Sequence, residues 1–151
     1  MATVDCTDKR ELTDDEIAAL PQPEPPTLEE RKTAIWETVK AKREALTDSP
    51  GATVQTPVGE VQSDAKSQQK ILGLVQMAVL ANLNSQPFSE EFTLADNTTV
   101  TLDAAQMISL GVAVGENVAD VYAHARTLRG EIEAAPDDAA LDLIDRETGW
   151  P

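Results

Sequence analysis

At 151 residues the chain has the length of one domain with a modest core. Its apolar content of 41% and charged content of 26% match ordinary globular usage and exclude wholesale disorder. The formal net charge of -15 at pH 7 repels nucleic-acid backbones and anionic membrane surfaces, so neither is an expected partner.

The single cysteine, Cys6, excludes an intramolecular disulfide and any multi-cysteine metal site. The opening residues "MATVDCTDKRELTDDE" hold no apolar run of signal-peptide length, and no later segment reaches transmembrane length. Synthesis in a cytoplasm is the expectation.

Residues 1–26 read as an acidic arm. Thr13 and Glu16 make a capping-box pattern that predicts a short helix over Asp14 to Leu20. "PQPEPP" follows, and four prolines in six residues predict an extended, semi-rigid spacer. The domain proper spans 27–151. Thr27 and Glu30 open a second capping box, predicting a helix to about Leu46 with Leu28, Ile35, Val39 and Leu46 on one face and Trp36 beside them. "GATVQTPVGEVQ" alternates around Pro57 and Gly59 and predicts a small hairpin or two short edge strands. The next helix is expected over about Asp64 to Leu83, capped by Ser63. Its mostly apolar second half predicts a buried central helix.

"EEFTLADNTTVTLD" predicts a second hairpin, and side-chain parity selects its loop. A two-residue loop at Asp96–Asn97 sets Phe92 opposite Thr101. A three-residue loop, Ala95-Asp96-Asn97, sets Phe92 opposite Val100 and Leu94 opposite Thr98, which makes one face apolar. The three-residue loop is therefore predicted, with Asn97 in the left-handed region.

Asp103 and Gln106 cap the last long helix, expected over about Ala104 to Ala135. Met107, Gly111, Val114, Val118, Val121, Ala125, Leu128 and Ile132 alternate by four and three residues along it, a spacing that suits a coiled coil or a close helix–helix seam. The first half widens into a core face. The narrower stripe at Val118, Val121, Ala125, Leu128 and Ile132 is the candidate contact for an oligomer or a partner. Pro136 ends the helix, and "DDAALDLIDRE" predicts a short final one.

The residues carry little catalytic chemistry. His124 is the only histidine and falls off the seam, on a helix flank. The carboxylates form no calcium-loop pattern, "GVAVGEN" is no phosphate-binding loop, and no serine sits in a nucleophile-elbow context. A non-enzymatic protein without cofactor or metal is expected.

Several motifs occur in one order: "VKAKREAL", a short G-x-T-V strand ("GATV"), "VQSDAKSQQKI", "PFSEEFTLADNTTVTLDAAQM", "AVGENVADVYAHARTLRGEIEAA" and the closing "ALDLIDRETGWP". This order resembles a C-terminal domain found in tail-fibre-associated and tail-fibre-assembly proteins of tailed bacteriophages, over roughly Thr27 to Pro151. Two positions depart from that pattern. The hairpin tip is Asp96-Asn97 where an acidic residue plus glycine is usual, and Asn117 stands where relatives often carry a histidine. The resemblance implies a tail-associated structural or adaptor protein, or alternatively a non-virion tail-fibre assembly chaperone. It implies tail or tail-fibre proteins as partners, and a location in the virion tail or in the host cytoplasm during assembly. It transfers no catalytic residue. Trp150 is then a plug on its own domain, an anchor on a partner, or part of a frayed end.

The expected fold is mainly α, of the α+β class: three main helices, a short C-terminal helix and one or two β-hairpins. Its core is expected to include Ile35, Val39, Leu72, Val75, Val79, Phe92, Val100, Val114, Val118 and Val121. The candidate interaction residues are Val118, Val121, Ala125, Leu128, Ile132 and Trp150, with a homo-oligomer as one outcome.

Overall fold

The computed structural model describes residues 24–151; the expected arm helix and most of the proline spacer lie outside the described residues. The elements in order are α1 (Leu28–Thr47), β1 (Thr53–Thr56), β2 (Gly59–Gln62), α2 (Ala65–Leu83), β3 (Glu90–Thr93), β4 (Thr99–Leu102), α3 (Ala104–Ala134) and α4 (Asp138–Asp142). The fold is a mainly helical α+β domain with two separate two-stranded antiparallel hairpins, as expected.

Local chemistry sets most boundaries. At α1 the Thr27 amide donates to Glu30 Oε2 at 2.8 Å, and the Glu30 amide donates to Thr27 Oγ1 at 3.3 Å. Both orphan donors of the first turn are thereby satisfied. Asp103 and Gln106 make the same reciprocal pair at the start of α3, at 2.9 and 3.0 Å. The cap of α2 is Asp64 rather than Ser63: Asp64 Oδ1 accepts from the amides of Lys66 and Ser67. Ser63 is withdrawn from capping because its own amide still donates to Ala52 O at 2.8 Å, continuing the first hairpin. Its side chain is fully buried.

The second hairpin has the register that parity requires. Phe92 faces Val100, and the Leu94 amide donates to Thr98 O at 2.8 Å across the three-residue loop. Asn97 has φ 66°, the left-handed conformation that asparagine tolerates. Asp96 Oδ1 holds the tip by accepting from the Thr98 amide and hydroxyl at 2.9 and 2.7 Å. In the first hairpin Val54 faces Val61, and both are buried. The two hairpins touch at their tips: the Ala95 amide donates to Glu60 O at 2.9 Å.

Helix α3 is the spine, about 46 Å long at 1.5 Å per residue. Its N-terminal half, through Met107, Leu110 and Val114, packs on Ile71 and Ala78 of α2 and on Phe92 and Leu102 of the second hairpin. Its C-terminal half, through Ala125, Leu128 and Ile132, packs on Ile35 and Val39 of α1 and on Leu141 of α4. Lys32 reaches Glu133 O, Arg129 lies over Trp36, and Arg43 lies over Tyr122, so α1 runs antiparallel to the spine. Arg31 ties α4 to α1 through Asp138 and Asp142 at 2.8 and 2.5 Å.

The core differs from the expected set in α2. Ile35, Val39, Phe92, Val114 and Val121 are buried. Val75, Val100 and Val118 are half-buried, and Leu72 and Val79 are exposed. Helix α2 is therefore not a buried central helix. Among the described residues its extensive helix packing is with the spine alone, beside the Gln68–Thr47 bond to the end of α1, and this packing covers only one of its faces.

Candidate functional site: an open apolar face on the second helix

From Ile71 to Leu83 there are 13 residues without a charge. Successive helical residues are about 100° apart, so Ile71 and Ala78 point to one side while Leu72, Val79 and Leu83 stand about 80–140° round the helix from them. The first pair is buried against the spine. On the other side Leu72 is 58% exposed, Met77 59%, Val79 38%, Leu80 59% and Leu83 76%. These five large apolar side chains spread over an arc of about 160° of the helix, more than the scattered exposure of a solvated surface, and make it the candidate contact site.

A concavity adjoins this ridge. Between the N-terminal half of α2 and the spine lies an apolar groove of about 400 Å³, bordered by Leu72, Val75, Gly111, Gly115 and Val118. Two glycines shape it. A Cβ at Gly111 would stand 2.4 Å from Val75 Cγ2, so this glycine allows the two helices to approach closely. A Cβ at Gly115 would meet nothing within 4 Å, which leaves the groove floor open one turn further along.

The charge around the face is distinctive in so acidic a chain. Helix α2 contains no carboxylate and only two cations, Lys66 and Lys70, both near its N-terminus. Beyond its C-terminus come Glu90 and Glu91 of the second hairpin, whose Phe92 shares a cluster with Ala78 and Met107.

The expected interaction seam lies elsewhere. Val121, Ala125, Leu128 and Ile132 are each no more than 2% exposed, the last three packed with α1 and α4, so they form an internal seam and offer no surface to a partner. Their four-three spacing did identify a helix–helix packing line; the partner is α1 of the same chain. Val118 alone reaches the groove. Trp150 is half-buried on its own domain. Its ring meets His124 edge-on, with centroids 4.6 Å apart and planes at 74°, and its Nε1 donates to Arg146 O at 3.0 Å.

The tail that carries Trp150 is built around Asp145. Its carboxylate accepts from the Thr148 hydroxyl and from the amides of Glu147 and Thr148. These bonds, the hydroxyl first, hold the Asp145 carboxyl well below its ordinary range, to about 2. Lys42 fastens the same turn by pairing with Glu147 at 2.6 Å. At Gly149 a Cβ would stand 2.7 Å from His124 Cε1, and φ is 82°, so glycine is required there on two counts. His124 is thus packed between Gly149 and Trp150. Among the described residues no three His, Cys, Asp or Glu side chains are grouped to hold a metal ion. No helix of the described residues is long and apolar enough to cross a membrane.

Fold and face together define a small helical α+β domain that, among the described residues, exposes an extended apolar surface on α2. The chain belongs to the family described as a domain of unknown function, DUF4376, whose pattern matches residues 30–145. Neither the curated proteins nor the solved structures give a match.

Proposed function

We propose that the protein is a bacteriophage tail-associated structural or adaptor protein, working through protein–protein contacts made by the α2 face. The observation that carries an associative role is the exposure of Leu72, Met77, Val79, Leu80 and Leu83 around the uncharged, solvent-facing arc of the helix. Leaving that much apolar surface in water is unfavourable by about 25 cal/mol per Å², and association recovers it. The tail setting is supported by the ordered motifs, above all "TLADNTTVTLDAAQM" and the closing "ID…GWP". A non-enzymatic role is supported by the use of the only histidine, His124, as a packing partner for Gly149 and Trp150.

A second reading, a fibre-assembly chaperone that leaves before the virion is complete, draws on the same face. Flexible Met77 among leucines suits transient contact with varied clients. Mass spectrometry of purified particles separates the two. A fixed copy number per particle is expected for the adaptor, whereas absence from particles together with fibre misassembly in a deletion strain supports the chaperone. Absence from particles with normal fibres overturns both.

A further inference from the structure

The α2 face has two unlike halves. Its N-terminal half borders the groove at Gly115, and its C-terminal half carries the protruding Val79, Leu80 and Leu83. A surface with a hollow at one end and knobs at the other complements itself when turned through 180°. That is the requirement for an isologous two-fold contact.

Charge selects the same arrangement. Along α2 and onward the order is Lys66 and Lys70, then 19 uncharged residues from Ile71 to Ser89, then Glu90 and Glu91. An antiparallel pair brings each lysine end toward the acidic end of the other copy. A parallel pair sets lysine against lysine and glutamate against glutamate. Elsewhere a chain of net charge -15 repels its copy, but between Ile71 and Leu83 there is no charge to repel.

We propose that α2 pairs antiparallel with α2 of a second copy, with the two-fold axis passing near Gln76. Leu80 and Leu83 of each copy then enter the Gly115 groove of the other. This rests on the reading of the α2 face as the protein's contact surface, and it names the occupant. A single helix face is small for a protein interface, so the pair belongs to the weak, concentration-dependent class, with Kd of about 1–100 μM.

Sedimentation of the full chain from about 2 to 500 μM, a span bracketing that Kd, is the first measurement. The expected mass rises from 16.2 kDa toward twice that value. Leu80→Glu with Leu83→Glu is expected to hold the chain at the monomer mass throughout. Because both side chains are exposed, the far-UV circular dichroism and dilute-solution melting should match the parent. Lys70→Glu should weaken the pair several-fold, with partial recovery on adding Glu91→Lys.

Orientation is tested by cross-linking in a Cys6→Ser background. Gln76→Cys should form a disulfide-linked dimer readily, and Lys66→Cys should not, since antiparallel pairing carries position 66 away from its copy. A parent that stays monomeric at the highest concentration overturns the pairing, whether residues 1–23 or another protein covers the face instead. So does a dimer that ignores the Leu80/Leu83 changes, or one that cross-links through position 66. Particle composition reports separately on the tail role: a monomer present in virions removes the pairing alone, and a dimer absent from virions removes the adaptor alone.

Discussion

Gly111→Ala is the sharpest probe of the α2–α3 contact that builds the face. In a helix interior, replacing glycine by alanine stabilises by about 0.5–1 kcal/mol through reduced backbone entropy. At Gly111 the new methyl would stand 2.4 Å from Val75 Cγ2, with Val75 Cβ and Cγ1 at 3.6 and 3.7 Å. Valine is stiff at χ1 in a helix, so rotation offers little relief and the helices themselves must separate. Overpacking of this kind costs about 1–3 kcal/mol, leaving a net destabilisation of roughly 0–2 kcal/mol. Gly130→Ala lies in the same helix with nothing within 4 Å of its added Cβ, and it should gain the full helical preference. The two variants should therefore differ by about 1–3 kcal/mol, or roughly 4–12 °C in melting temperature for a domain of this size. Thermal and urea melts at one protein concentration measure this difference. Val75→Ala in the Gly111→Ala background removes both contacting Cγ atoms and should recover most of the loss, as a double-mutant cycle. If Gly111→Ala melts as high as Gly130→Ala, the helices are not in close contact there and the groove is not shaped as described.

Three further outcomes are expected. Leu128→Ala, at a site 2% exposed, should lower unfolding free energy by about 2–5 kcal/mol in a urea titration, while the oligomer mass at matched folded concentration stays that of the parent. Trp150→Ala, or ending the chain at Thr148, removes a half-buried ring from the second cluster and should cost about 1–3 kcal/mol in a thermal melt. An unchanged melt would place the tail outside the fold's energetics. The Asp145 carboxyl, depressed from 3.8 to about 2 in the fold, contributes stability that is complete above its unfolded value and is lost as pH falls through about 2. Between pH 4 and 2, Trp150 fluorescence in a Trp36→Phe background should report loosening of the tail, and Asp145→Asn should flatten that transition.

Much of the fold was legible in local chemistry. The capping boxes at Thr27 and Asp103, the stop at Pro136 and the three-residue loop with Asn97 in the left-handed region depend on residues within one turn or one hairpin. The sequence contains all of their partners. The spacing from Met107 to Ile132 likewise established a packing line, because a four-three repeat aligns side chains whatever lies opposite. What that line packs against was a different matter. Only the tertiary arrangement laid α1 over Ala125, Leu128 and Ile132, buried Val121 as well, and turned an expected partner surface into core. Among the described residues the same arrangement packed α2 extensively on one helix only, leaving Leu72, Val79, Leu80 and Leu83 in solvent although their hydrophobicity suggested burial. The uncharged run from Ile71 to Leu83 did hold a signal: a helix apolar on all sides needs cover on all sides. Hydrophobicity states that a side chain gains by leaving water, but which surface receives it depends on how many neighbours the fold supplies. For α2 the described residues supply one extensive helix contact, the spine.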